Sequence, residues 1–399
     1  MNQSKKQSYF IIACIIVPLS GFCLDIYVPG LVRMVHDLQT GRPQLLWTIS
    51  FFSYGLALAQ LIAGPVSDAF GRKKVMLVSV LAQLIVLFAI LIVQHIHWMI
   101  ALRFLQGVIV AFAVVPARAV VADLFAADEF QSKMKKMLAV WALGPIFAPL
   151  IGGYMVAHLG WVTCFYFMIA YAFVILCLLL LFFEETLQKK QELSVSNLLL
   201  QYKQLCSHFY FLLCLVICGC VGGVIVIFNV VAPFLLHHVM HYDSASVPVI
   251  TGYFAMALGV SWFLGSVYSQ RSKIAPNKKI MMMMGVALVA TLTLFGFSFL
   301  SPLRIVYLIV PTCFIVIASS CVFSQFVPLA LSPFKSMAGT ANAGLFSGVW
   351  LINGLASMLG ALMKTNSLIG ISIGYLVVVA ILVILLCLYY LKFQRLDAA

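Results

Sequence analysis

Gly64-Pro65-Val66-Ser67-Asp68-Ala69-Phe70-Gly71-Arg72-Lys73-Lys74 joins two long apolar runs near the start of this chain. The glycines permit a sharp turn and close backbone approach. Asp68 stands where it can face a helix N-terminus or a basic partner. The runs on either side, at roughly 45–67 and 75–95, each have the ~20 residues needed to cross a bilayer. A short basic loop between two such runs reads as a loop on the inner face of a membrane.

The composition agrees. Of 399 residues, 64% are hydrophobic and 9% charged, with a mean hydropathy of +1.12, whereas a soluble domain carries about a quarter charged residues. The solvent for this much apolar surface is lipid. The net charge of +13 is dispersed in short clusters between apolar runs, as in membrane loops, and forms no patch suited to nucleic acid. Most of the eleven cysteines lie inside apolar runs, among them Cys14, Cys23, Cys164, Cys177, Cys313 and Cys387, where a thiol is a small apolar filler. Cys214, Cys218 and Cys220 lack metal-site spacing, and neither a metal nor a cofactor is expected. The first apolar run follows Lys5 and Lys6, extends to about Leu31 without a small-residue cleavage site, and reads as a retained span.

Twelve spans are expected, at roughly 9–31, 45–67, 75–95, 98–120, 137–159 and 161–183, then 208–236, 247–270, 279–300, 303–327, 338–363 and 368–392. Of the 24 lysines and arginines, Arg33, Arg42, Arg304 and Lys364 fall on one side, and Arg103 and Arg118 lie within the fourth span. The other eighteen share the opposite side with both termini, which makes that side cytoplasmic. The chain thus divides into a six-helix half at 1–185, a cytoplasmic connection at 186–207 and a second half at 208–399. Within the connection, Ser196–Cys206 can lie along the membrane surface. Two equal halves suggest structural repeats. Gly265–Arg271 corresponds to Gly64–Arg72, with Ser269 in place of the acid.

Three further stretches carry chemistry. Leu24-Asp25-Ile26-Tyr27-Val28-Pro29-Gly30 holds the one acidic residue placed well inside a span. A lone buried carboxylate is disfavoured as the anion and can cycle through protonation. Solvation from the outer surface, or a lasting pair with Arg103, are the plainer alternatives. Arg103-Phe104-Leu105-Gln106-Gly107 places a costly arginine in the fourth span, a functional candidate unless it snorkels to the outer interface. The fifth span reads Gly144-Pro145-Ile146-Phe147-Ala148-Pro149-Leu150-Ile151-Gly152-Gly153, in which small residues allow close helix packing and prolines bend the helix.

In order and position these stretches resemble the major facilitator superfamily. Gly64–Lys74 is similar to its loop signature, Gly-x-x-x-Asp-x-x-Gly-Arg-Lys/Arg, with Ala69 where many relatives carry a base. Arg103–Gly107 resembles the fourth-span motif associated with proton coupling. Gly144–Gly153 resembles the antiporter signature, with Ala148 replacing a glycine. The Asp25-x-Tyr27-x-Pro29 pattern resembles the first span of Bcr/CflA-type drug:proton antiporters. Glu184-Glu185-Thr186-Leu187 resembles the closing of the sixth span, and Gly339–Ala343 the opening of the eleventh.

The resemblance implies an all-α membrane protein of twelve helices in two pseudo-symmetric halves. It implies a multi-pass transporter of a bacterial cytoplasmic membrane, exporting small amphipathic molecules against protons by alternating access. Asp25 and Arg103 would serve proton coupling. Gly64, Asp68, Gly71, Arg72 and Asp123 would form a conformational latch in which Asp123 pairs with Arg72. Gly144, Pro149, Gly152 and Gly153 would form the antiporter-like motif. The departures at Ala69 and Ala148 leave room for a proton-coupled importer of a metabolite or siderophore-type chelate.

Polar and aromatic residues within spans are the candidates for substrate contact: Tyr27, Tyr54, Gln60, Asn229, Tyr253, Gln325, Asn342 and Trp350, with Asn353 beside them. Helix–helix hydrogen bonding is the plainer role for any one of them. His237 and His241 can share a helix face, although solvated interface residues are the commoner case. The expected partners are a small-molecule substrate and membrane lipid, without nucleic acid, and the chain is expected to act as a monomer. No nucleophile–base constellation suggests an enzyme.

Overall fold

The computed structural model describes residues 2–393 except Gln94, Ala126, Gln188, Lys189, Gln191, Ser244, Ser301, Lys364 and Asn366. Lys189, Lys364 and Arg395, counted above toward orientation, lie outside the described residues, as do the side chains of Lys135 and Lys335. Among the described residues all regular secondary structure is helical, with no strand. The chain separates into two compact units, Met1–Leu198 and Leu199–Ala399.

The first unit contains α1 (Gln3–Ile16), α2 (Leu19–Asp25), a 3-10 turn (Val28–Gly30), α3 (Leu31–Asp37), α4 (Arg42–Phe70), α5 (Arg72–Ile92), α6 (Ile96–Leu124), α7 (Ala127–Leu159) and α8 (Val162–Leu181). The connection carries α9 (Val195–Ser207). The second unit continues with α10 (Phe209–His238), α11 (Ser246–Arg271), α12 (Pro276–Phe297), α13 (Ile305–Leu331), α14 (Ala338–Leu362) and α15 (Ile369–Phe393). Among the described residues, eleven segments are long and apolar enough to cross a membrane, with α1 to α3 acting as one. The remaining span is α7, whose apolar part is Gly144–Leu159.

The same pairing organises each unit separately. In the first, α4 lies directly on α6: a Cβ on Gly55 would sit 2.1 Å from the Phe104 carbonyl oxygen, and one on Gly107 2.1 Å from that of Phe52. In the second, Gly265 lets α11 approach α13 equally closely, with the Ile317 carbonyl oxygen 2.1 Å from a Cβ built there. Small residues permit such helix–helix approach in lipid, where no hydrophobic force drives one helix onto another. Cys214, Ile217, Cys218 and Val221 of α10 are fully buried in the second unit's core.

Two expectations change. Gly64–Phe70 is not a loop: α4 runs through Pro65 and ends only at Gly71. Proline removes one helical hydrogen bond, and the Ser67 hydroxyl donates to the Gly64 carbonyl at 2.8 Å, holding the last turns together. His241 lies beyond the end of α10 with φ +57, so it shares no helix face with His237.

The broken first span and the α4–α5 corner as candidate functional site

The first span was expected as one helix over 9–31, but it breaks twice. Pro18 and Pro29 cannot donate to the carbonyls four residues back. The helix accordingly stops at Ile16, restarts as α2, and passes through the 3-10 turn before α3. Irregular backbone at membrane depth is tolerated only where protein covers it, and Ile26, Tyr27, Val28, Pro29 and Gly30 are all buried.

Other helices catch the carbonyls around the breaks. The Tyr171 hydroxyl donates to Ile15 O, Arg103 Nη2 donates to Cys23 O at 2.7 Å, and the Cys164 thiol donates to Ile26 O at 3.5 Å. α7 closes the other side. A Cβ on Gly152 would lie 1.7 Å from the Ile26 carbonyl oxygen, and one on Gly21 2.9 Å from Pro145 Cδ. The small residues of the antiporter-like stretch therefore seat α7 on the irregular backbone. Gly144 is less constrained, its nearest neighbour being the Pro18 carbonyl oxygen at 3.3 Å. Pro149 is buried within α7.

Asp25 ends α2 and is 5% exposed. Arg103 reaches both sides of it: besides Cys23 O, its Nη2 donates to the Tyr27 hydroxyl at 3.3 Å. Its Nη1 donates to Gln106 Oε1. The guanidinium also lies over the rings of Tyr27, 4.7 Å from the centroid, and Phe52, at 4.6 Å. Arg103 is fully buried and does not snorkel. The Tyr27 hydroxyl meets Thr48 Oγ1 at 3.0 Å, completing a polar knot among α2, α4 and α6.

Three members of this knot escaped the sequence reading. The Cys23 sulfur accepts from Gln83 Nε2 at 3.3 Å and from Gln106 Nε2 at 3.6 Å, so it is an acceptor rather than the filler expected. Gln83 was signalled only as a lone amide in an apolar run. Thr48 gave no signal.

A second cluster forms at the α4–α5 corner. Arg72 is 7% exposed. Its guanidinium pairs with Asp68, contacts the Ser67 hydroxyl, and donates through Nε to Asp123 Oδ2 at 3.1 Å. The Thr186 hydroxyl donates to the same Asp123 oxygen at 3.0 Å. Glu185 Oε1 accepts the backbone N–H of Arg72 at 2.9 Å, and Oε2 accepts that of Lys73 at 3.2 Å. A carboxylate at these otherwise unpaired amides suits a helix N-terminus. Next to it, the Lys5 ammonium 3.1 Å away is the main cause that holds the Glu184 carboxyl below its ordinary value. Glu185 and Thr186 were read only as the closing of a span; here they tie the segment after α8 to α5 and α6.

The two glycines of the corner differ. A Cβ on Gly64 would meet only Val115 Cγ1, at 3.9 Å, so no close approach requires a glycine there. Gly71 has φ +102, and a Cβ would lie 2.5 Å from Glu185 Oε2. Gly71→Ala is therefore expected to cost about 1–3 kcal/mol, whereas Gly64→Ala is expected to leave stability near wild type. Thermal unfolding of both variants in detergent checks this, and an unfolding temperature for Gly71→Ala equal to wild type refutes it.

The candidate substrate residues are distributed between the units. In the first, Tyr27 and Gln60 are buried and Tyr54 is half-buried. In the second, Asn229, Gln325, Asn342 and Trp350 are half-buried and Tyr253 is 57% exposed. Gln325 Nε2 donates to Cys321 Sγ, one turn back, at 3.7 Å. Asn353 packs against Gly222, where a Cβ would come within 2.7 Å of its Oδ1. Among the described residues, no group of three or more His, Cys, Asp or Glu is placed to hold a metal.

Comparison with known proteins gives this geometry a family. Residues 13–361 match the Major Facilitator Superfamily. A bicyclomycin resistance protein homolog of Haemophilus influenzae is 32% identical over 211 residues, 51% of this chain and 53% of that protein, so the alignment spans about half of each. The multidrug resistance protein MdtL of Citrobacter koseri is 28% identical over 88% of both chains. In fold, the crystal structure of a D-xylose-proton symporter matches with a TM-score of 0.76 at 15% identity, covering 97% of each chain. The chain belongs to the major facilitator superfamily, a family of multi-pass membrane transporters and not of enzymes, and it resembles the Bcr/CflA-type drug-efflux branch.

Proposed function

We propose that this chain exports small amphipathic organic molecules in exchange for protons, by alternating access, from a bacterial cytoplasmic membrane in which both termini face the cytoplasm. The observation that carries the reading is the burial of Asp25 at the broken backbone, with Arg103 holding residues on both sides of it. A carboxyl in that position gains or loses a charge in a water-poor setting, so its proton biases whichever arrangement of the first span suits the neutral or ionised form. Arg103 tunes that balance as a fixed neighbouring cation. The Asp68–Arg72–Asp123 cluster, extended by Glu185 and Thr186, acts as a latch that holds the ends of α4, α5 and α6 together in one state. Within each unit, the polar and aromatic residues named above are the candidates for substrate contact. Tyr27, already committed to Arg103 and Thr48, serves by positioning. The names of the relatives support drug-like cargo, and the coupling ion of this reading is H+. The chain works as a monomer surrounded by lipid, without a nucleic-acid partner.

The test is the sign of a pH change. Protein reconstituted in liposomes containing a trapped pH dye is exposed to a panel of amphipathic compounds that includes bicyclomycin. An antiporter admits cargo while protons leave, so the lumen becomes more alkaline. Acidification identifies a symporter and overturns export. Cargo flux without any pH change overturns proton coupling.

A further inference from the structure

We propose that the Lys73–Lys74 end of α5 binds one anionic phospholipid, with the headgroup phosphate at the lysines and an acyl chain along the exposed face of the helix. A cleft of about 440 Å³ opens there. Its polar rim is Lys73, Lys74 and Lys190, with one carboxylate, Glu185. That carboxylate is already engaged: its oxygens accept the backbone amides of Arg72, Lys73, Thr186 and Leu187. The neighbouring Glu184 is held mainly by Lys5, with the Lys73 charge a weaker neighbour. The rim therefore presents three ammonium groups against carboxylates occupied elsewhere, which suits a phosphodiester and disfavours a headgroup bearing its own quaternary ammonium.

The wall of the cleft selects lipid over free phosphate. Leu77, Val78 and Leu81 line it, and the apolar surface continues beyond. Val78, Leu81, Ile85, Phe88 and Ile92 are 59%, 48%, 70%, 56% and 80% exposed. Their spacing of three and four residues places them in one stripe along α5. The 21 residues of the helix, at about 1.5 Å each, match the depth of the hydrocarbon core, and the stripe covers about two thirds of that length. Lipid covers any such face in a membrane; the lysines at its end add selectivity for headgroup charge. The cleft adjoins the Arg72–Asp123 cluster through Glu185, so an occupant also neutralises cations beside that corner.

Full-length protein in detergent, titrated with phosphatidylglycerol and read by native mass spectrometry, tests this. Wild type is expected to retain one phosphatidylglycerol in preference to phosphatidylcholine. Lys74→Gln/Lys190→Gln is expected to weaken that retention by about tenfold, while Lys273→Gln/Lys278→Gln, equally basic but elsewhere, leaves it unchanged. A second variant, Leu81→Asp, places a negative charge on the tail-binding wall and should weaken retention as well. Equal retention of the two lipids by wild type overturns the proposal. So does undiminished retention in the lysine variant, or displacement of the lipid by millimolar glycerol phosphate. The readout is binding, so it stands apart from the direction or coupling of transport.

Discussion

Asp25→Asn is expected to reduce pH-gradient-driven transport to the level of vesicles lacking the protein, with expression and folding unchanged. Asparagine keeps the size of the side chain and the hydrogen-bonding capacity of the protonated acid, but it cannot release a proton. The site is 5% exposed, and no neighbouring carboxylate lies within the polar knot to replace it: Cys23, Tyr27, Thr48, Gln83, Arg103 and Gln106 supply a thiol, hydroxyls, amides and a guanidinium. Downhill exchange of labelled cargo, which needs no net proton movement, should persist. Everted vesicles energised with a pH gradient give the first measurement, and cargo counterflow gives the second. Wild-type uphill transport in the variant would remove Asp25 from the coupling step. Loss of both activities together with loss of the folded peak on size exclusion would make it a structural residue instead.

The second large effect is expected at Gly152. Its Cβ position is 1.7 Å from the backbone carbonyl oxygen of Ile26, and a Cβ is itself fixed by the backbone, so no rotamer change relieves the clash. Overpacking a buried site costs about 1–3 kcal/mol, and Gly152→Ala should lie at or above the top of that range. Gly144→Ala meets the Pro18 carbonyl oxygen at 3.3 Å and should cost less, because a shift of a few tenths of an ångström relieves it. The ordering is the test: thermal unfolding of both variants should place Gly152→Ala well below Gly144→Ala, with transport following the same order. Equal unfolding temperatures would show that α7 does not bear on the broken backbone as closely as described.

The spans were legible because the bilayer imposes a length on every apolar run and leaves few alternatives for its backbone. The shorter apolar helix at 144–159 shows the limit, since the charged start of α7 belongs to the same helix. Helix continuity was less legible. Pro65 marks a break on paper yet sits inside α4, whereas Pro18 and Pro29 do interrupt the first span. What separates them is tertiary: the backbone around Pro18 and Pro29 has Tyr171, Arg103 and Cys164 to receive its carbonyls, and those residues lie far along the chain. The same limit hid Cys23 and Glu185. A cysteine in an apolar run and a glutamate after a span look ordinary until two glutamines and two helix-terminal amides are brought to them. Arg72 and Asp123, 51 residues apart, were linked beforehand only by resemblance, because spacing within either segment carries no information about the other.

The broken first span also has a consequence for how the protein is made. Its carbonyls at Cys23, Ile26 and Ile15 wait for donors that lie 80, 138 and 156 residues later in the chain. At ribosomal rates of about 5–20 residues per second, the last of these emerges on the order of ten seconds after the segment it completes. During that interval this segment has unsatisfied backbone that hydrocarbon will not accept. It must remain within the insertion machinery or at the wet interface until the sixth span arrives. The broken span is thus completed only once the sixth span is in place.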